Sequence, residues 1–477
     1  ARHLVRWPSG GNWLTAESNG LFTAGMLFPE FKEAGQWRAT AIERLYRQLD
    51  DEVYPDGMEY ELAAGYNNWV VSEFAHIIEL ADLNDLRGEM PADFQARIEK
   101  MYDYQLHASM PNGAIPGLND SGNASVVTSL ADGFKLFPHR TDFEYVASNR
   151  GRGTVPVKLS VAFPYSGHHV MRSGWDADAT YLLHDIAPFG YGHQHEDKLH
   201  FVLWAHGRQL VLDPGNFSYD RSRWRKYVLA TYGHNTVMVD GQGQNRRGKR
   251  ETYFWPRPWS TPSPAGSDAR WFSSEQCDYS SGVYADGYGP QQAIDVRHTR
   301  QVIYLKQPNL FVITDALVPA DGGQHAYEAL FHLDSEEATV AEGDVVSTVN
   351  QGQANLSITP MGTSGVQIVK GKEDEPVQGW SNGPWRAVPT AIYSSAGTGT
   401  LRMAFVMEPV AADGRAKLSS ARMLEGVGEG FSIELRLQDG SRYMVTTADG
   451  DGEPVTVTSW GADAKEAGKV EFVPQAP

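Results

Sequence analysis

Cysteine is almost absent from this chain, in which Cys277 is the single one among 477 residues. One thiol excludes an intramolecular disulfide, and it equally excludes a metal site built from several thiolates. A metal ion in this protein would therefore have to be bound by imidazole and carboxylate groups.

The sequence also lacks a long apolar run and an excess of positive charge. No segment reaches the roughly 20 apolar residues that a membrane-spanning helix needs. Lys and Arg number 41 against 59 Asp and Glu, which gives a formal net charge of −18. Such a charge argues against nonspecific binding of nucleic acid. We therefore expect neither a membrane nor a nucleic acid as a partner.

The first residues, Ala1-Arg2-His3-Leu4, include neither an initiator methionine nor the apolar core of a signal peptide. We therefore expect that a targeting segment has been removed or that a larger N-terminal part is missing. The remaining composition is that of a packed globular protein, since 41% of the residues are hydrophobic and 11% are aromatic. At this length, two large domains or several small ones are expected.

The periodicity of apolar residues changes once along the chain. Residues 1 to about 130 carry apolar positions three and four apart, which predicts antiparallel helices, and one of these helices is "ELAAGYNNWVVSEFAHIIELADL". From about residue 155 the period becomes two, as in "LHFVLWA" and in the hairpin "RQVIYLKQPNLFVITDAL". We therefore predict an α+β multidomain protein with helices over 1–130, a linker over 131–154 and a large antiparallel β-sandwich over 155–477.

The stretch "YGHQHEDKLHF" concentrates groups that bind metals and transfer protons. His193 and His195 are two residues apart, so they share one face if the segment is extended. Asp213 and His234 follow at the edges of later predicted strands. Three such strand edges together could hold a zinc-type ion, because zinc accepts imidazole and carboxylate ligands. The alternative is that His193-x-His195 forms a polar turn and Asp213 caps another.

Positive charge is concentrated in residues 221–250, although the whole chain is acidic. This segment has eight basic residues and one acidic residue, Asp240. The run is either a solvated loop surface or a surface that binds a polyanion, and its place beside His234 favours the second interpretation. The basic residues are Arg221, Arg223, Arg225, Lys226, Arg246, Arg247, Lys249 and Arg250.

The stretches "MRSGWDADATYLL", "GHQHEDKLHFVLWAHGRQLVLDPGNFSYD" and "TYGHNTVMVDGQGQNRRG" closely resemble the C-terminal domain of the heparinase II/III-like polysaccharide lyases. The resemblance implies that His193 is catalytic. It also implies one divalent metal ion, zinc, with a mainly structural role, bound by His195, Asp213 and His234. Arg221, Arg225, Arg246 and Arg247 would then contact an anionic polysaccharide.

The N-terminal helices resemble the later part of the α/α toroid of the same family. "GGNWLTAESNGLF" is similar to the segment whose Asn neutralises the substrate carboxylate, which implies this role for Asn12. "PDGMEYELAAGYNNW" implies that Tyr66 is the catalytic tyrosine, although Tyr66 also shares the apolar phase of Leu62 and Val70 and could be a core residue. Many family members have His after this Tyr, whereas this chain has Asn67. The earlier toroid helices are expected to be absent.

The resemblance implies a lyase that cleaves a 4-linked uronate polysaccharide by β-elimination, located in the periplasm or secreted. Heparin or heparan sulfate is the favoured substrate, with alginate, hyaluronan and ulvan as alternatives. Two other functions stay open: a glycoside hydrolase that uses two of Glu17, Glu59 and Glu61, and a noncatalytic polysaccharide-binding protein. The missing toroid portion is a possible partner, and the oligomeric state is not predicted.

Overall fold

The computed structural model describes residues 1–246, 269–382, 385–424, 430–448 and 453–477, and the chain forms two compact units. The helical unit contains Ala1–Val157 and Gly190–Gln194, and the strand unit contains 158–189, 195–246 and the described residues from 269 onward. The chain thus leaves the strand unit after Phe189 and enters it again at His195. Among the described residues, no helix is both long and apolar enough to cross a membrane.

Seven of the α-helices in the described residues belong to the helical unit. They are α1 (Arg2–Arg6), α2 (Asn12–Leu27), α3 (Ala34–Asp51), α4 (Ala64–Leu83), α5 (Phe94–Ala108), α6 (Val127–Leu136) and α7 (Thr141–Ala147). Helix α2 packs against α3 and α4, and α4 also packs against α5 and α6. Because α4 has neighbours on several sides, it buries apolar residues around most of its circumference, including Val70, Phe74 and Ile78.

The strands that the structure describes run almost entirely through the strand unit. In chain order they are β1 (Ala114–Ile115), β2 (Ala124–Ser125), β3 (Val161–Phe163), β4 (His168–Arg172), β5 (Tyr181–Asp185), β6 (Phe201–Ala205), β7 (Arg208–Val211), β8 (Val237–Val239), β9 (Arg270–Ser273), β10 (Cys277–Tyr284), β11 (Val296–Leu305), β12 (Leu310–Pro319), β13 (Gln324–His332), β14 (Glu337–Ala341), β15 (Val345–Val349), β16 (Asn355–Met361), β17 (Gly365–Lys370), β18 (Trp380–Ser381), β19 (Arg386–Ala387), β20 (Pro389–Thr398), β21 (Leu401–Val410), β22 (Leu418–Met423), β23 (Gly430–Leu437), β24 (Arg442–Ala448), β25 (Val455–Trp460) and β26 (Glu466–Phe472). One further helix, α8 (Arg223–Leu229), lies between β7 and β8.

These strands form antiparallel sheets of different sizes. An eight-stranded sheet has the order β14-β15-β16-β21-β12-β11-β10-β9, a four-stranded sheet has the order β17-β20-β13-β8, and two five-stranded sheets run β3 to β7 and β22 to β26. The pairs β1–β2 and β18–β19 are separate. Consecutive strands are usually neighbours, because tight turns join antiparallel strands directly.

The eight-stranded sheet is the middle layer of the strand unit. Side chains alternate between the faces of a strand, so Val302 and Tyr304 join a core with the β3–β7 and four-stranded sheets. Their neighbours Ile303 and Leu305 join a second core with the β22–β26 sheet. Burial on both faces explains why the sequence of β11 and β12 is apolar almost without interruption.

The structure has antiparallel helices where the period of three and four predicted them, and the segment "ELAAGYNNWVVSEFAHIIELADL" contains α4. The predicted hairpin turning at Pro308-Asn309 is the antiparallel pair β11–β12, and the stacked sheets confirm the predicted sandwich class. The segment predicted as a linker, 131–154, is not extended: it contains the end of α6 and all of α7. Its helical period is interrupted by Pro138 and the glycines 151 and 153, which made it resemble a connection.

A buried ionic network ties the middle sheet to two loops of the strand unit. Arg300 on β11 donates to both oxygens of Asp315 on β12, at 2.7 and 2.9 Å. Its Nη1 also donates to the carbonyl oxygens of Leu199 and Asn235. Burial alone would raise the pKa of Asp315, but Arg300 and His298 hold this pKa below its usual range. The network therefore anchors the loops next to His200 and His234.

We predict that Arg300→Met destabilises the strand unit by about 3–5 kcal/mol, because Asp315 would be left buried without its cation. Urea unfolding followed by circular dichroism measures the change. The control is Arg297→Met, at an exposed position on the same strand, with an expected effect within about 0.5 kcal/mol. Equal effects of the two substitutions would contradict the role assigned to the network.

Candidate functional site

The segment "YGHQHEDKLHF" divides its histidines between the two units. Residues Gly190–Gln194 pack with the helical unit, and the strand unit resumes at His195. A side chain at Gly190 would meet the carbonyl oxygen of Tyr60 at 2.3 Å, so only glycine allows this approach. Gln194 fixes the other end by donating to the carbonyl oxygen of Glu61. The short segment thereby brings His193 into the helical unit.

His193 lies between two carboxylates of the helical unit. Its Nδ1 is 3.1 Å from Oδ2 of Asp120, and its Nε2 is 3.7 Å from Oε2 of Glu61. The side chain keeps 22% of its surface exposed, whereas the Asp120 side chain is buried. The backbone of His193 has a positive φ of 28°, which a residue with a Cβ adopts only under constraint. His193 is therefore held at a fixed position with one side open.

Tyr66 stacks directly on this imidazole. The two ring centroids are 3.9 Å apart and the ring planes are inclined by 20°. Tyr66 is in the first turn of α4 and is half-buried, whereas Leu62 precedes the helix. The alternative that Tyr66 is a core tyrosine in phase with Leu62 is therefore not supported.

Asn12 reaches the same group of residues from the first position of α2. Its Nδ2 lies 3.2 and 3.4 Å from the two carboxylate oxygens of Glu61. The structure thus brings together Asn12, Tyr66 and His193, the three side chains that the resemblance marks as catalytic, and adds Glu61 and Asp120. Asn67 is buried at the family's histidine position, and its Oδ1 accepts from the backbone N–H of Glu59.

Glu61 is a carboxyl group that titrates close to neutrality. Burial is the main reason why the pKa of Glu61 is raised to about 7. His193 and the hydrogen bond from Asn12 lower this pKa, and the charge of Glu52 raises it. Glu59 is more deeply buried, and burial and the charge of Glu61 raise its pKa well above its ordinary value. Near neutral pH the site therefore contains less negative charge than its number of carboxyl groups suggests.

The strand unit contains a second cluster, of buried histidines and aspartates. Two overlapping groups have ligand atoms within 4.8 Å of one another. One consists of His195, Asp197 and His234, and the other consists of His200, Asp213 and His234. Of the predicted ligands, His195 belongs to the first group and Asp213 to the second, and only His234 belongs to both.

The hydrogen bonds of His234 suit a metal ligand. Its Nε2 is 3.0 Å from the carbonyl oxygen of Val228, so this nitrogen carries a hydrogen and donates it. Its Nδ1 is 3.0 Å from Oδ2 of Asp213 and donates to it while no ion is bound, so a binding ion would replace this hydrogen. A carbonyl that fixes one ring nitrogen and leaves the other for an ion is the usual surrounding of a ligating histidine. Imidazole and carboxylate groups in this arrangement fit a divalent ion such as zinc.

His200 belongs to the cluster but is a poor ligand. Its Nδ1 accepts the backbone N–H of Asn235 at 2.8 Å. Burial and the neighbouring His234 hold the pKa of His200 well below its ordinary value, so the ring is neutral and its hydrogen is on Nε2. Nε2 lies 3.2 Å from Oδ2 of Asp213 but forms no hydrogen bond with it. His200 therefore lies beside Asp213 without offering a lone pair to an ion.

The predicted substrate-binding arginines have different environments. Arg221 and Arg225 line a cavity of about 610 Å³ together with Lys226 and Glu196. Lys226 is paired with Glu375 at 2.7 Å, and Arg223 with Glu373 at 2.7 Å. The basic run is therefore partly neutralised by carboxylates that are distant in sequence.

Arg246 is a correction to the prediction, because the structure buries it. Its guanidinium lies 3.8 Å from Asp197 and 5.0 Å from the ring centre of Phe189. A buried arginine paired within the strand unit is not available to a polymer. Arg247, the fourth predicted residue, lies outside the described residues.

Comparisons with known proteins agree with this architecture. The family described as heparinase II/III N-terminus matches residues 1–145, and the family described as heparinase II/III-like, C-terminal, matches residues 155–382. The chain belongs to the heparinase II/III-like family.

Two curated relatives are both named heparin-sulfate lyase. The protein from Bacteroides stercoris is 26% identical over 389 residues, which cover 80% of this chain and 54% of the relative. The protein from Pedobacter heparinus is 30% identical over 259 residues, which cover 52% of this chain and 39% of the relative. This chain therefore spans about half the length, or less, of the curated relatives it matches.

A solved structure of a heparinase III gene product has the same fold. It superposes with a TM-score of 0.78 at 23% identity and covers 94% of this chain and 67% of its own. The crystal structure of heparan sulfate lyase from Pedobacter heparinus gives a TM-score of 0.75 at 21% identity, covering 92% of this chain and 67% of its own. Helices followed by stacked antiparallel sheets are thus shared with these proteins.

Proposed function

We propose that this chain carries the reacting groups of a polysaccharide lyase that cleaves a 4-linked uronate polymer by β-elimination. The names of the two curated relatives favour heparin or heparan sulfate as the substrate. Alginate, hyaluronan and ulvan contain the same type of linkage and stay alternatives. The observation that carries the proposal is the meeting of Asn12, Tyr66 and His193 in the helical unit.

The reaction sets three tasks for these side chains. Elimination removes the proton at C5 of the uronate, which is weakly acidic because negative charge then builds up beside the carboxylate. The carboxylate must therefore be neutralised, the C5 proton accepted, and the leaving oxygen on C4 protonated. The reaction consumes no water, so no residue has to activate one.

Each task has a candidate group. The Asn12 amide has two hydrogens, of which one faces Glu61, and the second can bond the uronate carboxylate. Protonated Glu61 would add a further donor to that carboxylate. Tyr66 can protonate the C4 oxygen, and His193 can accept the C5 proton in an anti elimination. In a syn elimination Tyr66 would perform both transfers.

Arg221 and Arg225 are proposed to attract the polyanion in the strand unit. They line the 610 Å³ cavity together with Lys226, and Lys226 is paired with Glu375. Exposed aromatic rings of the helical unit, Trp13 at 72% and Tyr191 at 43%, offer apolar faces against which sugar rings can pack. An extracellular polymer as substrate supports a periplasmic or secreted location.

We further propose that one divalent ion, zinc, binds to His195, Asp213 and His234. The ion would supply a rigid link among three segments of the strand unit that are distant in sequence. His200 would lie outside the ligand set, and the Val228 carbonyl would orient His234.

The proposed reaction predicts a characteristic product. Incubation of the purified protein with heparan sulfate should generate 4,5-unsaturated uronate ends, seen as a rise in ultraviolet absorbance. The same assay on alginate, hyaluronan and ulvan identifies the substrate. New reducing ends without absorbance would instead indicate a hydrolase, and binding without any cleavage would indicate a noncatalytic protein.

Tyr66→Phe should lower the rate of elimination by about 10²–10⁴-fold, because it removes the proton-transferring oxygen and keeps the ring. Steady-state kinetics on the active polymer give the change. Tyr46→Phe is the matched control, since Tyr46 donates to Asp93 on the surface of the helical unit, and it should keep the rate. Residual Tyr66→Phe activity within tenfold, about 1.4 kcal/mol of barrier, would contradict the assignment.

The two histidines of "HQH" should respond differently to substitution. His195→Ala should lower the zinc content and the melting temperature together, because a ligand that links segments of the strand unit is lost. His193→Ala should remove activity and keep the zinc. Elemental analysis and melting curves of both variants test this division. Equal loss of metal would contradict it, and a wild-type protein without metal would contradict the site itself.

A further inference from the structure

Asp120 lies next to His193, and the proposed reaction assigns it no role. It lies in the loop "GLNDSGN" between β1 and β2. The contact has two parts: Nδ1 of His193 is 3.1 Å from Oδ2 of Asp120, and the backbone N–H of Asp120 donates to the carbonyl oxygen of His193, also at 3.1 Å. A side-chain bond and a backbone bond between the same two residues fix both the position and the rotation of the ring.

The residues on either side of Asp120 form hydrogen bonds with the segment that carries Glu61 and Tyr66. Asn119 donates from Nδ2 to the carbonyl oxygen of Leu62 at 2.9 Å, directly after Glu61. The hydroxyl of Ser121 accepts from the backbone N–H of Gly65 at 2.9 Å, directly before Tyr66. Three consecutive residues therefore bind two segments: Asn119 and Ser121 bind the stretch that carries Glu61 and Tyr66, and Asp120 binds His193.

The buried carboxylate decides which nitrogen of the imidazole is protonated. A carboxylate accepts hydrogen bonds and donates none, so the hydrogen of neutral His193 is placed on Nδ1. The lone pair is then on Nε2, which is the nitrogen on the side of Glu61, 3.7 Å from its Oε2. Glu61 in turn contacts Asn12, so Nε2 is directed toward the groups that would bind the uronate.

We propose that Asp120 is the positioning residue of His193: it accepts the Nδ1 hydrogen and thereby leaves Nε2 as the proton acceptor for the substrate. This inference rests on the proposed lyase function, in which His193 takes the C5 proton. The loop "GLNDSGN" thereby takes part in the reaction through His193. Asp120 itself touches neither the substrate nor the transferred proton.

The hydrogen on His193 can be located without any substrate. Nitrogen-15 NMR of the full chain with labelled histidine, recorded at a pH where the histidines are neutral, shows which ring nitrogen carries it. The His193 signal is identified by its loss in His193→Gln. We expect the hydrogen on Nδ1 in the wild type and a shift of population to Nε2 in Asp120→Ala. A wild-type hydrogen on Nε2 would overturn the proposal, even if Asp120→Ala failed to fold.

Kinetics supply the second readout. Asp120→Ala should lower kcat by about 10²-fold or more, while KM changes by less than about threefold, because the base is misdirected and substrate contacts remain. Asp103→Ala is the control: Asp103 is a carboxylate of α5 bonded to Arg140, and its loss should leave kcat unchanged.

The two proposals fail in different ways. A wild type that yields no unsaturated ends would refute the lyase function, whereas the NMR result would still decide the role of Asp120. An active wild type whose Asp120→Ala variant keeps kcat within threefold, with the hydrogen still on Nδ1, would refute Asp120 alone.

Discussion

The position of one hydrogen on each of three imidazoles, those of His193, His200 and His234, controls what the candidate catalytic and metal sites of this protein can do. A neutral histidine accepts a proton or binds an ion only through the nitrogen that carries no hydrogen. In the strand unit, the Val228 carbonyl places a hydrogen on Nε2 of His234, and the Asn235 N–H leaves the hydrogen of His200 on Nε2 as well. Nδ1 of His234 faces Asp213, where an ion would replace its hydrogen, whereas Nδ1 of His200 is occupied by the Asn235 N–H. In the helical unit, a carboxylate performs the same task for His193.

These constraints come from backbone groups and buried acids, so they depend on the packing around them. Arg300 holds the carbonyl oxygens of Leu199 and Asn235, and these residues adjoin His200 and His234. Gly190 allows the segment before His193 to approach Tyr60. We propose a catalytic role for His193 and a metal-binding role for His195 because the two histidines pack in different units. The helical unit includes the chain up to Gln194, and the strand unit begins again at His195.

Much of this could be predicted from the sequence, because periodicity and short motifs are local. The two periods predicted the helices and the sandwich. The spacing of His195, Asp213 and His234 predicted one metal site, and the structure divides these residues between two overlapping groups that share His234. Asp120 and Glu61 were not assigned these contacts, since nothing local connects either to His193, which lies 73 positions after Asp120 and 132 positions (193 − 61) after Glu61. Arg246 was misjudged for the same reason: its position in a basic run suggested exposure, whereas its partner Asp197 becomes a neighbour only after folding.

Elimination and hydrolysis differ in whether water enters the product, and this difference is the most direct test of the proposed chemistry. A defined heparan-sulfate oligosaccharide is cleaved by the protein in water enriched in oxygen-18, and the products are weighed by mass spectrometry. Elimination predicts two products whose masses add up to that of the substrate, with no heavy oxygen incorporated at cleavage. A summed product mass that exceeds the substrate mass by one molecule of labelled water would contradict the account, because that water would have to be the nucleophile.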